Sequence, residues 1–200
     1  MPLPHNLFDY CSIRKSNFIE KYLVVKRKIS FVYKVDILLI KLIIRGGVSM
    51  PCMNWSGLDH LQLGKYAEYY AKMEFTSYGY EVYTSEVDDH GVDFIAKAPV
   101  SADFYEVQVK SVRKTNYAFI SKNKIIFDNK HLVCFMKFKD GEMPVVYVIP
   151  ITAWAKPNAV LVDRNYDNGK AEWGINYSEK NQHFIEQYKL DNFFMRDKSS

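Results

Sequence analysis

Three short stretches of this sequence hold residues that can do chemistry together. Gly91-Val92-Asp93-Phe94 puts an acid at the start of an apolar run, directly after a tight turn. Glu106-Val107-Gln108-Val109-Lys110-Ser111 alternates polar and apolar residues. A strand's two-residue side-chain period sets Glu106, Gln108 and Lys110 on one face and Val107 and Val109 on the other. Earlier, helical steps from Gly57 give Leu61, Gly64, Glu68, Ala71 and Phe75, a face that is small or apolar except for Glu68. A carboxylate on a buried face is costly unless something compensates it. A metal ion is one compensation; an ion pair with Lys65 or Lys72 is another. Each stretch also has a plain structural reading. Asp93 can cap a turn, and the 106–111 run can be a strand whose polar side faces water.

Spacing ties the stretches together. A turn near Pro99–Asp103 separates Asp93 from Gln108. A hairpin folded there brings Asp93 opposite residues 108–110. If opposed residue numbers sum to 201 or 203, Asp93 sits beside Gln108 or Lys110 on the same face. A sum of 202 sets it against Val109 on the wrong face, so a shared site demands an odd register, barring a bulge.

The elements that must position these residues follow from pattern and punctuation. A helix is expected from about Leu58 to Phe75, with Ser56 and Asp59 resembling a capping box and Gly79 closing the segment. Strands are expected at Glu81–Glu86, Val92–Lys97 and Phe104–Val112, with a polar turn at Asp88-Asp89-His90-Gly91. His131–Lys139 and Val145–Ile149 flank Asp140-Gly141, a hairpin signal. Short strands are expected at Val160–Val162 and Trp173–Tyr177, and a closing helix at Ser178–Tyr188, capped by Ser178.

A helix with Glu68, a strand, Gly-x-Asp, a hairpin and then Gln108-Val109-Lys110 resembles the PD-(D/E)XK nuclease superfamily. The likeness is closer to a group of small prokaryotic proteins within it. It runs from Leu63-Gly64-Lys65-Tyr66-Ala67-Glu68 through the Asp88–Asp93 and Val107–Ser111 stretches. It continues to Ile149-Pro150, Trp154 and Glu172-Trp173-Gly174-Ile175-Asn176. The resemblance implies an α/β fold, a restriction-endonuclease-like αβββαβ-type core with a central mixed sheet flanked by helices. It implies a metal-dependent phosphodiesterase acting on nucleic acid, with DNA expected. Asp93, Gln108, the Val109 backbone carbonyl and Glu68 would hold Mg²⁺ or Mn²⁺, and Lys110 would orient the attacking water. Phosphodiester hydrolysis needs a hard cation held by oxygen, a positioned water and a nearby positive charge. Two departures matter. Gln108 stands where the family more often has an acid, which removes one negative charge; Glu106, about 7 Å along the strand, is a weaker candidate to compensate. And Lys114–Lys130, where the superfamily has a helix, contains Tyr117-Ala118-Phe119-Ile120, which reads as a strand.

Charge is segregated. Residues 50–107 carry three basic and ten acidic residues, and residues 108–140 carry eight basic and two acidic. Arg113, Lys114, Lys122 and Lys124 belong to the basic set, with Tyr117 and Phe119 interleaved, and are candidates for phosphate contacts. The plain reading is a solvated loop with alternating lysines. Nothing reads bases, so the sequence shows no base specificity.

Residues 1–49 stand apart. They carry nine Lys/Arg and three Asp/Glu. Their apolar run at Ile37–Ile44 is broken by Lys41 and too short to span a bilayer. The segment reads as a basic amphipathic helix, a loosely docked extension, or a translated leader with Met50 or Met53 as the true start. Residues 50–200 are expected to form the nuclease-like domain. Three cysteines without a Cys-x-x-Cys pair argue against disulfides and structural zinc, and for a cytoplasmic protein. Nucleases of this type often dimerise to cut two strands; the sequence holds no clear dimer motif. Two other readings stay open: a catalytically weak module of the same fold that binds nucleic acid in repair, defence or a mobile element, and an interaction protein whose polar strand faces merely solvate the sheet.

Overall fold

The computed structural model describes residues 52–84 and 91–197. The expectations for residues 1–49 and for the turn at 88–90 lie outside them. Helix α1, His60–Ser77, begins where Asp59 and Gln62 cap each other. The Gln62 N–H donates to Asp59 Oδ1 at 2.8 Å, and the Asp59 N–H donates to Gln62 Oε1 at 3.0 Å. Two of the orphan N–H groups at the helix start are thereby satisfied. Ser56 is not the cap. It lies in a 3-10 turn, Trp55–Gly57, where its N–H donates to Asp140.

The buried face of α1 is Leu63, Ala67, Tyr70, Ala71, Glu74 and Phe75. This is rotated from the expected stripe: Leu61 is exposed and Glu68 half-buried. Small Ala67 and Ala71 let the helix approach the sheet, and the rings of Tyr70 and Phe75 fill the space around them.

The main sheet has the order β1-β2-β3-β5-β6, with β1 Glu81–Tyr83, β2 Phe94–Lys97, β3 Phe104–Val112, β5 His131–Lys137 and β6 Val145–Pro150. β1, β2 and β3 are antiparallel neighbours, β3 and β5 run parallel, and β6 returns antiparallel. The sheet is therefore mixed, as the α/β expectation requires. Val107, Val109, Cys134 and Val148 pack with α1 and with Leu190 and Phe194 of α2, Leu190–Asp197. Val112, Val133, Phe135 and Ile149 pack on the opposite face.

That opposite face is covered by a second antiparallel sheet, β4-β8-β7, made of β4 Tyr117–Ser121, β7 Leu161–Asn165 and β8 Ala171–Asn176. Ile120, Trp154, Leu161 and Ile175 fill the space between the sheets. The parallel step from β3 to β5 thus passes through β4 and a 3-10 turn, Lys122–Lys124, where the superfamily pattern has a helix.

The closing helix expected at Ser178–Tyr188 does not form. Asn181 diverts the chain: its Oδ1 accepts the Ser178 N–H at 2.7 Å, and its Nδ2 donates to the carbonyls of Ala159 and Asn176. Such side-chain bonds compete with helical ones. Two 3-10 turns follow, and α2 starts only at Leu190. Among the described residues, no helix is long and apolar enough to cross a membrane.

Candidate active site

Strand pairing settles the register. Phe94 faces Val107 and Ile95 faces Glu106, so opposed numbers sum to 201. The register is odd, and one step beyond Phe94 it carries Asp93 to the level of Gln108. A bulge modifies this. The Asp93 N–H donates to the carbonyl of Val107, the residue already opposite Phe94, at 2.9 Å. Two residues of one strand facing one of the other bend the chain and re-aim a side chain. The Asp93 carboxylate accordingly turns in toward β3, where Oδ2 accepts the Val109 N–H at 2.6 Å. β2 has ended there, so Asp93 satisfies a donor that no strand reaches.

Peptide groups alternate in direction along a strand. The Glu106 N–H is bonded to Lys130 on the β5 side, so Val107 and Val109 direct theirs toward β2. The Val109 carbonyl therefore points to the side on which Asp93 stands.

Gln108 is 8% exposed, and among the described residues its Oε1 is buried without a hydrogen-bond partner. An unsatisfied buried acceptor costs about 1–3 kcal/mol. The carboxamide is held from behind by Gly91. A Cβ built on Gly91 would meet Gln108 Nε2 at 2.7 Å, and Gly91 has a φ of +73°. Both the backbone conformation and the space demand glycine. The same Cβ would lie 3.7 Å from Cδ of Lys124, so the lysine stem crosses this spot. Lys110 follows Gln108 on the same strand face, half-buried, about 7 Å along.

Glu68 takes the ion-pair option. Lys65 Nζ is 2.6 Å from its Oε2, and its side chain is 22% exposed. The bond to Glu68, and then that carboxylate's charge, hold Lys65 above the ordinary lysine value; the charge of Asp93 adds to this. The buried acid of α1 is Glu74, which the helical stepping missed. It lies four residues after Tyr70, on the true inward face. Burial raises the Cys134 thiol first, and the charges of Glu74 and Asp93 raise it further. Cys134 is the β5 partner of Val109, so both acids act on the same part of the sheet.

The basic residues divide. Arg113 donates to the carbonyls of Trp55 and Leu58, which ties the segment before α1 to the end of β3. Lys122 is 2.5 Å from Asp163 and lies over the Trp173 ring. Lys137 donates to the carbonyls of Arg113 and Thr115, and burial lowers it below the usual lysine range. Lys114 and Lys124 are exposed and have no ionic partner among the described residues.

At the other end of β3, His131 is buried between two acids. Nε2 is 2.8 Å from Glu106 and Nδ1 is 2.6 Å from Asp128. Glu106 is thereby engaged away from Gln108. Among the described residues, no three His, Cys, Asp or Glu side chains cluster to hold a metal. The oxygen set at β3 is mixed instead: one carboxylate, one carboxamide and one backbone carbonyl.

No family model matches the chain, and no curated protein matches its sequence. Among solved structures, the chain is similar to a bacterial homing endonuclease at 17% identity. The match covers 70% of this chain and 93% of that one, with a TM-score of 0.44. A likeness at that level carries no argument, and the reading of the site rests on the chain's own geometry.

Proposed function

We propose that this chain is a metal-dependent phosphodiesterase of the PD-(D/E)XK kind, cutting DNA at a centre formed by Asp93, Gln108 and Lys110. The observation that carries the reading is the orphaned Gln108 Oε1, buried at the level of Asp93. A hard cation is bound by oxygen atoms, including neutral carbonyl and carboxamide oxygens. Asp93, Gln108 and the Val109 carbonyl are such a set, and a cation would supply the partner Oε1 lacks. Bound there, Mg²⁺ or Mn²⁺ would neutralise phosphate charge and lower the pKa of a bound water.

The chain's own residues have separate parts. Asp93 provides the negative charge of the set and is fixed by the Val109 N–H. Gln108 provides a neutral oxygen, fixed by contact with Gly91. Lys110 lies on the same strand face, placed to orient the water and to balance charge on the phosphate. Lys124 crosses Gly91 and offers a phosphate contact at the mouth. Glu68 holds Lys65 beside Asp93 and so tunes the local charge. With only one carboxylate in the set, metal affinity is expected to be modest. This favours a second reading, a nucleic-acid-binding module of the same fold with feeble catalysis.

Cleavage of supercoiled plasmid separates the two. The nuclease reading expects nicking in Mg²⁺ or Mn²⁺ that EDTA, Asp93→Ala and Lys110→Ala each abolish. Salt-sensitive DNA binding without cleavage in any metal would select the binding module. Cleavage surviving both substitutions would show the centre to be misplaced.

A further inference from the structure

The segment between β4 and β5, which passes Gly91 at Lys124, leaves two large apolar residues exposed to solvent. Ile125 is buried in the core between the sheets, and Asp128 is bonded to the N–H groups of Lys130 and His131 and to the His131 ring. The chain is thus pinned on both sides of Ile126 and Phe127, which remain 70% and 46% exposed. Phe127 is not loose. Its ring lies 5.3 Å from that of Trp173, tilted by 40°, and Trp173 is itself buried under Lys122 at 5.5 Å. One side of the Phe127 ring is therefore backed by a fixed aromatic while the ring keeps open surface. Lys124, three residues earlier, is within about 10 Å along the chain and crosses Gly91 next to Gln108.

A cation with no ionic partner among the described residues, within about 10 Å along the chain of a backed, open aromatic ring, is a pairing by which proteins hold single strands: the lysine takes a phosphate and the ring takes a base face. In a duplex those faces are already stacked. We propose that Phe127 is a stacking surface for an unpaired base, and that the nucleic acid this chain takes is single-stranded where it meets the Lys124 side of the centre. The inference rests on the nuclease reading for the identity of the neighbouring centre and goes beyond it in naming the substrate's strandedness.

The test measures binding by the full-length chain in EDTA, where no cleavage removes the probe. The probes are a labelled oligothymidine and a labelled duplex of mixed sequence. Phe127→Leu keeps an apolar contact with Trp173 but removes the π face; Phe127→Trp restores one. The wild-type chain is expected to bind the single strand more tightly than the duplex. Phe127→Leu should weaken single-strand binding about tenfold and leave duplex binding unchanged, and Phe127→Trp should recover it. Equal single-strand binding by wild type and Phe127→Leu, with both melting at the same temperature, overturns the stacking role. So does a duplex bound at least as tightly as the single strand. The nuclease reading fails separately, by the absence of metal-dependent cleavage in the wild type, and that result leaves the binding comparison intact.

Discussion

At the scale of single residues, the proposed centre depends on Gly91. Gly91 must be glycine for its φ of +73° and for its closeness to Gln108 Nε2. Gly91→Ala is expected to cost about 1–2 kcal/mol in backbone strain alone and to push the Gln108 carboxamide out of place. Urea melts should show the loss of stability, and cleavage should fall further than stability does. Gln108→Glu tests the oxygen set from the other side. A carboxylate there adds the charge the site lacks, so half-maximal cleavage should need less Mg²⁺; a higher requirement would count against Gln108 as a ligand. The odd register that carries Asp93 to the level of Gln108 was readable because turn position and strand alternation are local signals. The bulge at Asp93 was not legible: it depends on where β2 stops relative to β3. Nor was it legible that Gln108 Oε1 lacks a partner among the described residues, which depends on how the surrounding elements pack. Glu74 was missed because the helix phase was counted from Gly57, ahead of the true cap at Asp59.

At the scale of elements, β3 is held on its β2 side by the bulge and on its β5 side by His131. Partial burial raises the Asp128 carboxyl, but bonds from the His131 ring and from two backbone N–H groups outweigh this, and the net direction is down. A depressed folded pKa gives stability that is complete above the unfolded value and lost as pH falls through the folded one. Asp128→Asn should therefore lower the melting temperature at pH 6 and matter progressively less below about pH 4. A penalty that persists undiminished at pH 3 would contradict the assignment. For α1, Asp59→Ala removes the reciprocal cap and should cost about 1 kcal/mol, read from denaturant midpoints. β3 was predictable to the residue because polar and apolar residues alternate from Glu106 to Lys110 and no glycine interrupts it. The helix placed at Ser178–Tyr188 failed because Asn181 bonds Ser178, Asn176 and Ala159, the last of them distant in sequence.

At the scale of the whole molecule, the uneven charge along the sequence becomes spatial. Glu68 and Glu74 of α1 lie on the side of the sheet that holds Cys134 and Asp93, while Lys114 and Lys124 leave the end of β3 and the β4–β5 connection exposed and basic. Several other lysines of that run, counted together in the sequence, prove to be internal ties: Lys122 to Asp163, Lys130 to Asp103, Lys137 to carbonyls. Few phosphate contacts are therefore expected, and the logarithm of DNA affinity should fall only shallowly with the logarithm of salt, by about 0.7 to 0.9 per contact. Lys124→Gln should lower that slope by about one contact. A steep dependence, unchanged by Lys124→Gln, would place the interface elsewhere. The α/β class and the two hairpins were readable because helix, strand and turn signals follow one another along the chain. The second sheet was only half visible, since β4 and β8 pair across more than fifty residues. Whether Asp93 and Gln108 together hold a cation is decided by calorimetric titration of the full chain with Mn²⁺. One saturable site, lost in Asp93→Ala and in Gln108→Leu and tightened in Gln108→Glu, is the predicted result; binding heat unaltered by those three substitutions would contradict it.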